Sequence, residues 1–322
     1  MLPFLHLGPI TLPTFGLMVA TGLLAAAYIL QADFQRRKIA ADAFLIIGIA
    51  GLAGLAGARL WHVLETPREF FADPWPQLFN RYGFAWFGGL AGGFVALVIL
   101  ARRFQIPLLE FFDCCSPAAA AGYAIGRIGC LLSGDGDYGV PTSLPWGMSF
   151  PRGVVPTMQR VHPTPLYEFL IWMAIAAYLW HLGTKALRGP KARGEIFCDY
   201  LLLTGVARFL IEFIRINPPF LFGLSNAQTA SIVSVAAGAV LLWRVKSEFH
   251  SRKKEHRIVD HILEKGDVLQ PEYHKPTPEC PHPERWHTYD SLSAEVEVLD
   301  FLRSVVRTLK PGWWSKPAHS QA

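Results

Sequence analysis

The sequence predicts an all-α integral membrane protein: a seven-span helical bundle with a small periplasmic loop region and a cytoplasmic C-terminal extension. Of the 322 residues, 52% are hydrophobic and only 17% are charged, and the apolar residues form long blocks. Seven blocks reach the roughly 20 residues that a helix needs to cross a bilayer. Lys and Arg fall mostly between the blocks, so the net charge of +5 indicates membrane topology and not nucleic-acid binding.

The chain divides by composition into a membrane domain, 1–246, and a polar extension, 247–322. The predicted spans are 12–31, 42–64, 84–101, 110–130, 165–183, 196–215 and 226–243. Glycines at three- and four-residue spacing in the second and third spans predict close helix packing. Within the extension, the apolar pattern of 294–309 predicts one amphipathic helix.

The orientation follows from the loops. Lys and Arg are concentrated after the first, third, fifth and seventh spans, for example at Arg36-Arg37-Lys38 and Arg102-Arg103. Because basic residues in short loops stay in the cytoplasm, we expect a periplasmic N-terminus and a cytoplasmic C-terminus. The stretch that follows the fourth span then faces the periplasm.

No metal or cofactor is predicted. The five cysteines are odd in number and include no C-x-x-C pair, which argues against a disulfide framework and a zinc site. Cys280, His282 and His287 match no zinc spacing, and the two aspartates of the loop after the fourth span lack the other ligands of a calcium loop.

The fourth span ends in an unusual junction, where Gly126-Arg127-Ile128-Gly129 leads into a glycine-rich acidic loop. A cation at this depth needs an anionic partner, so Arg127 is a candidate functional residue. The loop contains Gly134, Asp135, Asp137 and Tyr138. It is either a tight turn or the wall of a site, whose backbone N–H groups bind an anion and whose carboxylates hold an arginine or take a proton.

The second half of the sixth span carries three charged residues at spacings of four and three, Arg208, Glu212 and Arg215. These spacings put them on one helical face, which must point into the bundle or a wet cavity. An internal salt bridge explains Glu212 and one arginine. Together with Arg127, however, the arginines outnumber this carboxylate, and we expect the surplus positive charge to bind a phosphate.

The segment His162-Pro163-Thr164-Pro165-Leu166-Tyr167-Glu168 opens the fifth span. Its prolines and its early Glu168 are typical of a helix start. His162 is in addition a candidate proton acceptor, because histidine is the residue type most often used as a general base.

Together, GRIG with its Gly-Asp loop, HPTPLYE, ARFLIEFIR and Ser225-Asn226-Ala227-Gln228 resemble the bacterial prolipoprotein diacylglyceryl transferase family over about 10–245. The resemblance implies a multi-pass enzyme of the bacterial inner membrane. It would transfer the diacylglyceryl group of phosphatidylglycerol to the lipobox cysteine of prolipoproteins, forming a thioether and releasing glycerol phosphate, with membrane lipids as surroundings and no cofactor. By position, the resemblance implies that Arg127 and Arg208 bind the lipid phosphate and that Glu212, His162, Tyr167 and Glu168 belong to the site.

The sequence departs from the family pattern at several positions. Cys130 and Ser133 replace asparagines, Asp135 and Asp137 replace a single glutamate, and Phe87 stands where a histidine precedes two glycines. The proton acceptor is therefore His162, a loop aspartate, or water and the departing phosphate. The competing interpretations are a divergent paralogue, or a small-anion or lipid transporter without transferase activity. A transporter predicts an internal repeat, and the two halves show none.

Overall fold

The structure is a computed structural model that describes residues 1–75, 85–187, 192–220 and 222–264. The chain divides into two units, Met1–Lys246 and Ser247–Ala322. The features predicted at 294–309 and at Cys280, His282 and His287 lie outside the described residues.

Helices dominate the first unit, and every predicted span falls on one. The helices are α1 Thr14–Arg37, α2 Ala43–Glu65, α3 Pro67–Ala72, α4 Trp86–Arg103, α5 Leu108–Ser133, α6 Thr164–Ala186, α7 Glu195–Glu212 and α8 Asn226–Glu264. The last helix continues well beyond the predicted end at residue 243, whereas α7 ends three residues before the predicted end at 215.

Five of the described helices are long and apolar enough to cross a membrane, namely α1, α2, α4, α6 and the first 26 residues of α8. In their most apolar windows only 17–33% of residues are buried. Apolar side chains such as Leu52 and Leu64 are 70% and 75% exposed, an arrangement suited to lipid contact. The protein is therefore a multi-pass membrane protein. The helices α5 and α7 are not among the five, and the count of seven spans stays a prediction.

Close backbone contacts hold the helices together. Gly22 of α1 packs against Gly122 of α5, and Gly57 of α2 packs against Gly88 and Gly92 of α4. A side chain at these positions would collide with the facing backbone. The predicted role of the closely spaced glycines in helix packing is thus confirmed for α2 and α4.

The all-α prediction is wrong in one respect, because two short hairpins are present. Strands β1 Phe4–Leu7 and β2 Ile10–Pro13 pair antiparallel, as do β3 Met148–Phe150 and β4 Thr157–Val161. Each is too short to give a readable alternating pattern; β1, β3 and β4 lie outside the predicted spans, and β2 overlaps the start of the first, 12–31.

The second hairpin ties three segments together beside α5. The Gly139 N–H donates to the His162 carbonyl and the Val140 N–H to the Ile214 carbonyl, both at 2.8 Å. Isolated bridges pair Gly139 with Arg215 and Pro141 with Val161. The loop after α5, the end of β4 and the segment after α7 are therefore held side by side.

The opposite ends of the helices carry the basic clusters. Arg36 and Arg37 both contact the fully buried Asp33, and Arg36 stacks over Trp180 of α6 at 3.8 Å. Asp113 of α5 accepts the N–H groups of Gly194 and Phe197 at 2.7 and 2.8 Å, and so caps α7. These contacts join α1 to α6 and α5 to α7.

Candidate active site

Six charged side chains from α5, α6, α7 and the adjoining loops form one ion-pair network. Its guanidinium groups belong to Arg127, Arg208 and Arg215, and its carboxylates to Asp137, Glu168 and Glu212. The expected surplus of positive charge is not found in the described part of the chain, because three carboxylates balance three arginines. Five of the network's seven pairs join segments far apart in the chain, so local spacing did not predict which residues they pair.

Arg127, near the end of α5, has the anionic partners that its position requires. Its Nε contacts Glu168, its Nη1 lies 2.5 Å from Asp137 Oδ2, and the same Nη1 lies 3.3 Å from the sulfur of Cys130. The guanidinium also stands over the Tyr123 ring at 5.3 Å. Only 12% of the side chain is exposed, so its orientation is fixed from several sides.

Glu168 lies at the centre of the network. Its side chain is completely buried, and its oxygens lie 3.7 Å from Arg208 Nη1 and 3.8 Å from Arg215 Nη1 in addition to the contact with Arg127. It does lie in the first turns of α6, as the helix-start interpretation requires, but its carboxylate faces three arginines. Glu168 is the only acidic residue of the predicted span 165–183. This isolation was the sequence signal that it faces a charged partner.

The predicted pair of Arg208 and Glu212 is confirmed, with Nη1 and Oε2 2.5 Å apart. The other oxygen of Glu212 accepts hydrogen bonds from Ser225 at 2.6 Å and Asn217 at 2.5 Å. This carboxylate is therefore held rigidly beside Arg208. Ser225, part of the motif that opens the last span, thus contributes to the site through Glu212.

Arg215 is not on the helical face predicted for it, because α7 ends at Glu212. The turn that follows brings the side chain back to the network, where Nη2 contacts Asp137 Oδ1 and Nε lies 3.7 Å from Glu212. The backbone bridge to Gly139 fixes the turn. Arg215 is therefore a member of the site by loop geometry and not by helical spacing.

The loop after α5 supplies Asp137. Gly134, at φ +58°, ends the helix and donates its N–H to the Cys130 carbonyl at 2.9 Å. The Asp137 N–H donates to Asp135 at 3.3 Å, and Thr164 donates to the Asp137 carbonyl. The backbone N–H groups of Gly134 and Asp137 are thus already bonded, so they do not provide the anion site that the loop composition suggested. The carboxylate of Asp137 does hold two arginines, a role predicted for a carboxylate of this loop.

The two loop aspartates have opposite electrostatic environments. Burial raises the pKa of Asp135, and the neighbouring Asp137 raises it further. Burial also acts to raise the pKa of Asp137, but Arg127 and Arg215 outweigh it and hold that pKa at about 2. Asp137 is thus a firm carboxylate, whereas Asp135 is the better proton acceptor of the two in this geometry.

The predicted residues His162, Tyr167 and Tyr138 lie outside the ion-pair network. The Trp146 Nε1–H donates to the Tyr167 oxygen at 2.8 Å, and that oxygen lies 3.3 Å from Nδ1 of His162. Tyr138 stacks on Phe150 at 5.2 Å. In the described chain none of these three predicted side chains bonds to an arginine of the network. They line its rim beside the second hairpin.

The donor set favours an oxyanion over a cation. Cys130, Asp135 and Asp137 place potential metal-ligand atoms within 4.8 Å of one another, but both oxygens of Asp137 already contact arginines. Among the described residues, Arg215 Nε and Nη1 are buried and approach carboxylates only at 3.7 and 3.8 Å, and Arg208 Nη1 makes no hydrogen bond of regular geometry although it lies 2.5 Å from Glu212. Guanidinium groups in this state are suited to binding a phosphate in bidentate fashion.

Comparison with known proteins points to one family. A family model described as prolipoprotein diacylglyceryl transferase matches residues 3–244. The phosphatidylglycerol–prolipoprotein diacylglyceryl transferase of Gloeobacter violaceus is 31% identical over 253 residues, which cover 74% of this chain and 90% of that protein. The enzymes of the same name from Synechococcus elongatus and Leptospira interrogans are 32% and 29% identical, over 74% and 72% of this chain and 85% and 89% of those proteins.

Proposed function

The chain belongs to the prolipoprotein diacylglyceryl transferase family, and we propose that it transfers the diacylglyceryl group of phosphatidylglycerol to the cysteine thiol of prolipoproteins. The acceptor is the cysteine of a lipobox peptide, and the product is a thioether, formed with release of glycerol phosphate. Supporting this proposal are the match over 3–244 and relatives of that name that align with most of the chain.

The observation that carries the proposal is the convergence of Arg127 and Arg208 on Glu168 from two different helices. Two guanidinium groups held this close in an apolar protein can bind one phosphate group together. In the proposed mechanism they neutralise the negative charge that grows on the phosphate as it leaves. Preorganised donors of this kind are worth about 3 kcal/mol each in a water-poor site.

Glu212 is proposed to orient Arg208. Its carboxylate is only 2% exposed and is fixed by Ser225 and Asn217, so the ion pair with Arg208 has little freedom to rearrange. Arg215, which contacts both Asp137 and Glu212, is proposed to complete the phosphate-binding side of the site. Gly134 ends α5, and Tyr138, Tyr167 and His162 line the rim where the headgroup and the peptide meet.

We propose an inner-membrane protein of seven spans with a periplasmic N-terminus and site and a cytoplasmic C-terminus. In support, the N-terminal segment lies beside the site, since the Leu2 N–H donates to the Leu132 carbonyl at 3.0 Å. The basic residues Arg36 and Arg37 lie at the other end of α1. The division into a transferase domain, 1–246, and a polar extension, 247–322, is part of the same proposal.

A direct transfer assay tests the function. The purified protein in vesicles that contain phosphatidylglycerol should add the mass of a diacylglyceryl group to a lipobox peptide. The single variants Arg127→Ala and Arg208→Ala should lose this activity, while Arg152→Ala, the same change at an exposed arginine, should retain it. A variant of Arg127 or Arg208 that keeps normal turnover would refute the phosphate clamp.

Complementation separates the enzyme from the competing interpretations. Expression in a strain depleted of its own diacylglyceryl transferase should restore growth and lipoprotein maturation. A stable, membrane-inserted protein that fails to rescue the strain would favour a divergent paralogue or a transporter without transferase activity.

A further inference from the structure

Asp137 binds two arginines in the way that a phosphate would. Its Oδ2 lies 2.5 Å from Arg127 Nη1, and its Oδ1 contacts Arg215 Nη2. Each oxygen thus serves a different guanidinium group. A phosphate that bridged the same two arginines would use two of its oxygens in the same positions.

Of the three carboxylates in the network, Asp137 is the one that can be replaced at the lowest cost. Its side chain is 31% exposed, whereas those of Glu168 and Glu212 are 0% and 2% exposed. The other two belong to helices, while Asp137 follows Gly134 and Gly136, both at positive φ. An entering anion can therefore exchange with Asp137 without breaking a helix.

We propose that Asp137 holds the place of the lipid phosphate between Arg127 and Arg215, and that the phosphate displaces it on binding and so frees it to accept the proton of the substrate thiol. This inference rests on the proposed function. It assigns the proton acceptor to a residue of this loop and makes that acceptor available only after the lipid has bound.

The surroundings of Asp137 explain this coupling. The groups that face it are Arg127 and Cys130 from α5, Glu168 from α6, Arg215 after α7 and Asp135 in its own loop. While both arginines bind it, its pKa stays at about 2, and it is too weak a base to deprotonate a thiol. Once the phosphate takes over the arginines, the charges that hold the pKa of Asp137 down are lost, and burial, which acts to raise that pKa, favours uptake of a proton.

The chemical step balances. The thiol proton passes to the Asp137 carboxylate, and the sulfur forms a bond to the terminal glyceryl carbon of the diacylglyceryl group. The bond from that carbon to the phosphate oxygen breaks, and its electron pair stays on the oxygen of the departing glycerol phosphate. Asp137 then gives its proton to that phosphate, and the returning carboxylate binds the arginines as the product leaves.

Two measurements on Asp137→Asn test the inference. Short-chain phosphatidylglycerol, titrated into the purified protein in detergent without any thiol, should bind at least about tenfold more tightly, because no charged competitor remains. In the transfer assay the maximal rate at pH 7 should fall at least about a hundredfold, the usual contribution of a general base. The defect should shrink as the pH rises above about 8.5, where the thiol ionises without help.

Two further variants serve as controls. Asp137→Glu keeps a carboxylate and should retain much of the rate and its pH dependence. Asp73→Asn makes the same chemical change at an exposed aspartate outside the network and should leave binding and transfer unchanged.

The outcomes separate this inference from the proposed function. Weaker lipid binding by Asp137→Asn, or a loss of rate that is the same at every pH, would show that Asp137 only stabilises the site and would overturn the inference. If the unaltered protein transfers nothing to a thiol, the proposed function fails. The binding titration still decides whether Asp137 competes with the phosphate in that case.

Discussion

Arg127 and Glu168 lie 41 residues apart in the chain and form an ion pair that joins α5 to α6, with the carboxylate completely buried. A buried charge of this kind is tolerated only because opposite charges surround it. Arg208 and Arg215 also lie within 4 Å of the same carboxylate. The stability of the helix bundle and the geometry of the proposed phosphate site therefore depend on the same residue.

The variant Glu168→Gln should unfold more readily than the unaltered protein and should be inactive. It leaves three arginines facing two carboxylates, and removal of one partner from a buried pair typically costs about 3–5 kcal/mol. Thermal unfolding in detergent should show a clearly lower midpoint. The matched variant Glu110→Gln breaks an exposed pair with Arg193 at 3.3 Å and should cost at most about 1 kcal/mol. Equal midpoints for the two variants would contradict this account.

The pKa of Asp137 predicts a loss of stability in acid. Its folded-state pKa of about 2 lies below the ordinary 3.8, so its ion pairs stabilise the fold fully above pH 3.8. That contribution disappears as the pH falls from about 4 through 2. The unfolding midpoint of the unaltered protein should fall in this window by more than that of Asp137→Asn. Parallel curves for the two proteins would be the contrary result.

The contribution of Asp135 to stability should change with pH in the opposite direction. Its folded-state pKa is raised by burial and by Asp137, so the protonated form is favoured in the folded protein. This stability is present below the ordinary pKa and is lost as the pH rises through the folded-state value. Above the folded-state pKa, Asp135 therefore destabilises the fold. Asp135→Asn should raise the unfolding midpoint at pH 7 and have no such benefit near pH 3, a difference that a pH series would detect.

The sequence predicted the parts of the site that follow from local spacing. Residues four apart on a helix meet, and Arg208 and Glu212 do so. An arginine at the end of an apolar helix needs an anion, and Arg127 has two. The sequence did not predict which anions these are, because the partners come from another helix and a loop. Only the fold brings Glu168 and Asp137 to Arg127.

Arg215 shows why helical spacing has limits. Its three-residue distance from Glu212 placed it on the same helical face, but α7 ends at Glu212. Beyond the helix the chain bonds elsewhere, with the Val140 N–H donating to the Ile214 carbonyl. This contact depends on a loop more than 70 residues away in sequence, whereas Pro218 and Pro219 are the local signal that the helix cannot continue.

Gly57 should tolerate no side chain. A Cβ at this position would lie 3.1 Å from the Cα of Gly92 and closer still to the carbonyl oxygen of Gly88. Gly57→Ala should therefore push α2 and α4 apart and cost about 1–3 kcal/mol.

Gly48→Ala is the matched control on the same helix, because no atom lies within 4 Å of the new methyl group. It should raise stability by up to about 1 kcal/mol through helix propensity. Thermal unfolding of both variants in detergent measures the difference, and a stabilised Gly57→Ala would contradict the packing.

His162 should contribute less to the rate than a general base does. The Tyr167 oxygen accepts the Trp146 N–H at 2.8 Å and lies 3.3 Å from His162 Nδ1. We expect the Tyr167 hydroxyl to donate to Nδ1, and a neutral His162 in that tautomer carries its proton on Nε2 and has no free lone pair. Transfer by His162→Asn should accordingly fall by less than about tenfold, against the hundredfold or more that loss of a general base usually causes.

Two variants on the same helix sharpen this prediction. Tyr167→Phe removes the hydroxyl that occupies Nδ1, and it should be no less impaired than His162→Asn if the pair acts by positioning the rim. His181→Asn alters an exposed histidine near the other end of α6 and should transfer at the normal rate. A loss above about a hundredfold in His162→Asn, with Tyr167→Phe close to normal, would identify His162 as the proton acceptor. Asp137 would then keep only its place between the arginines.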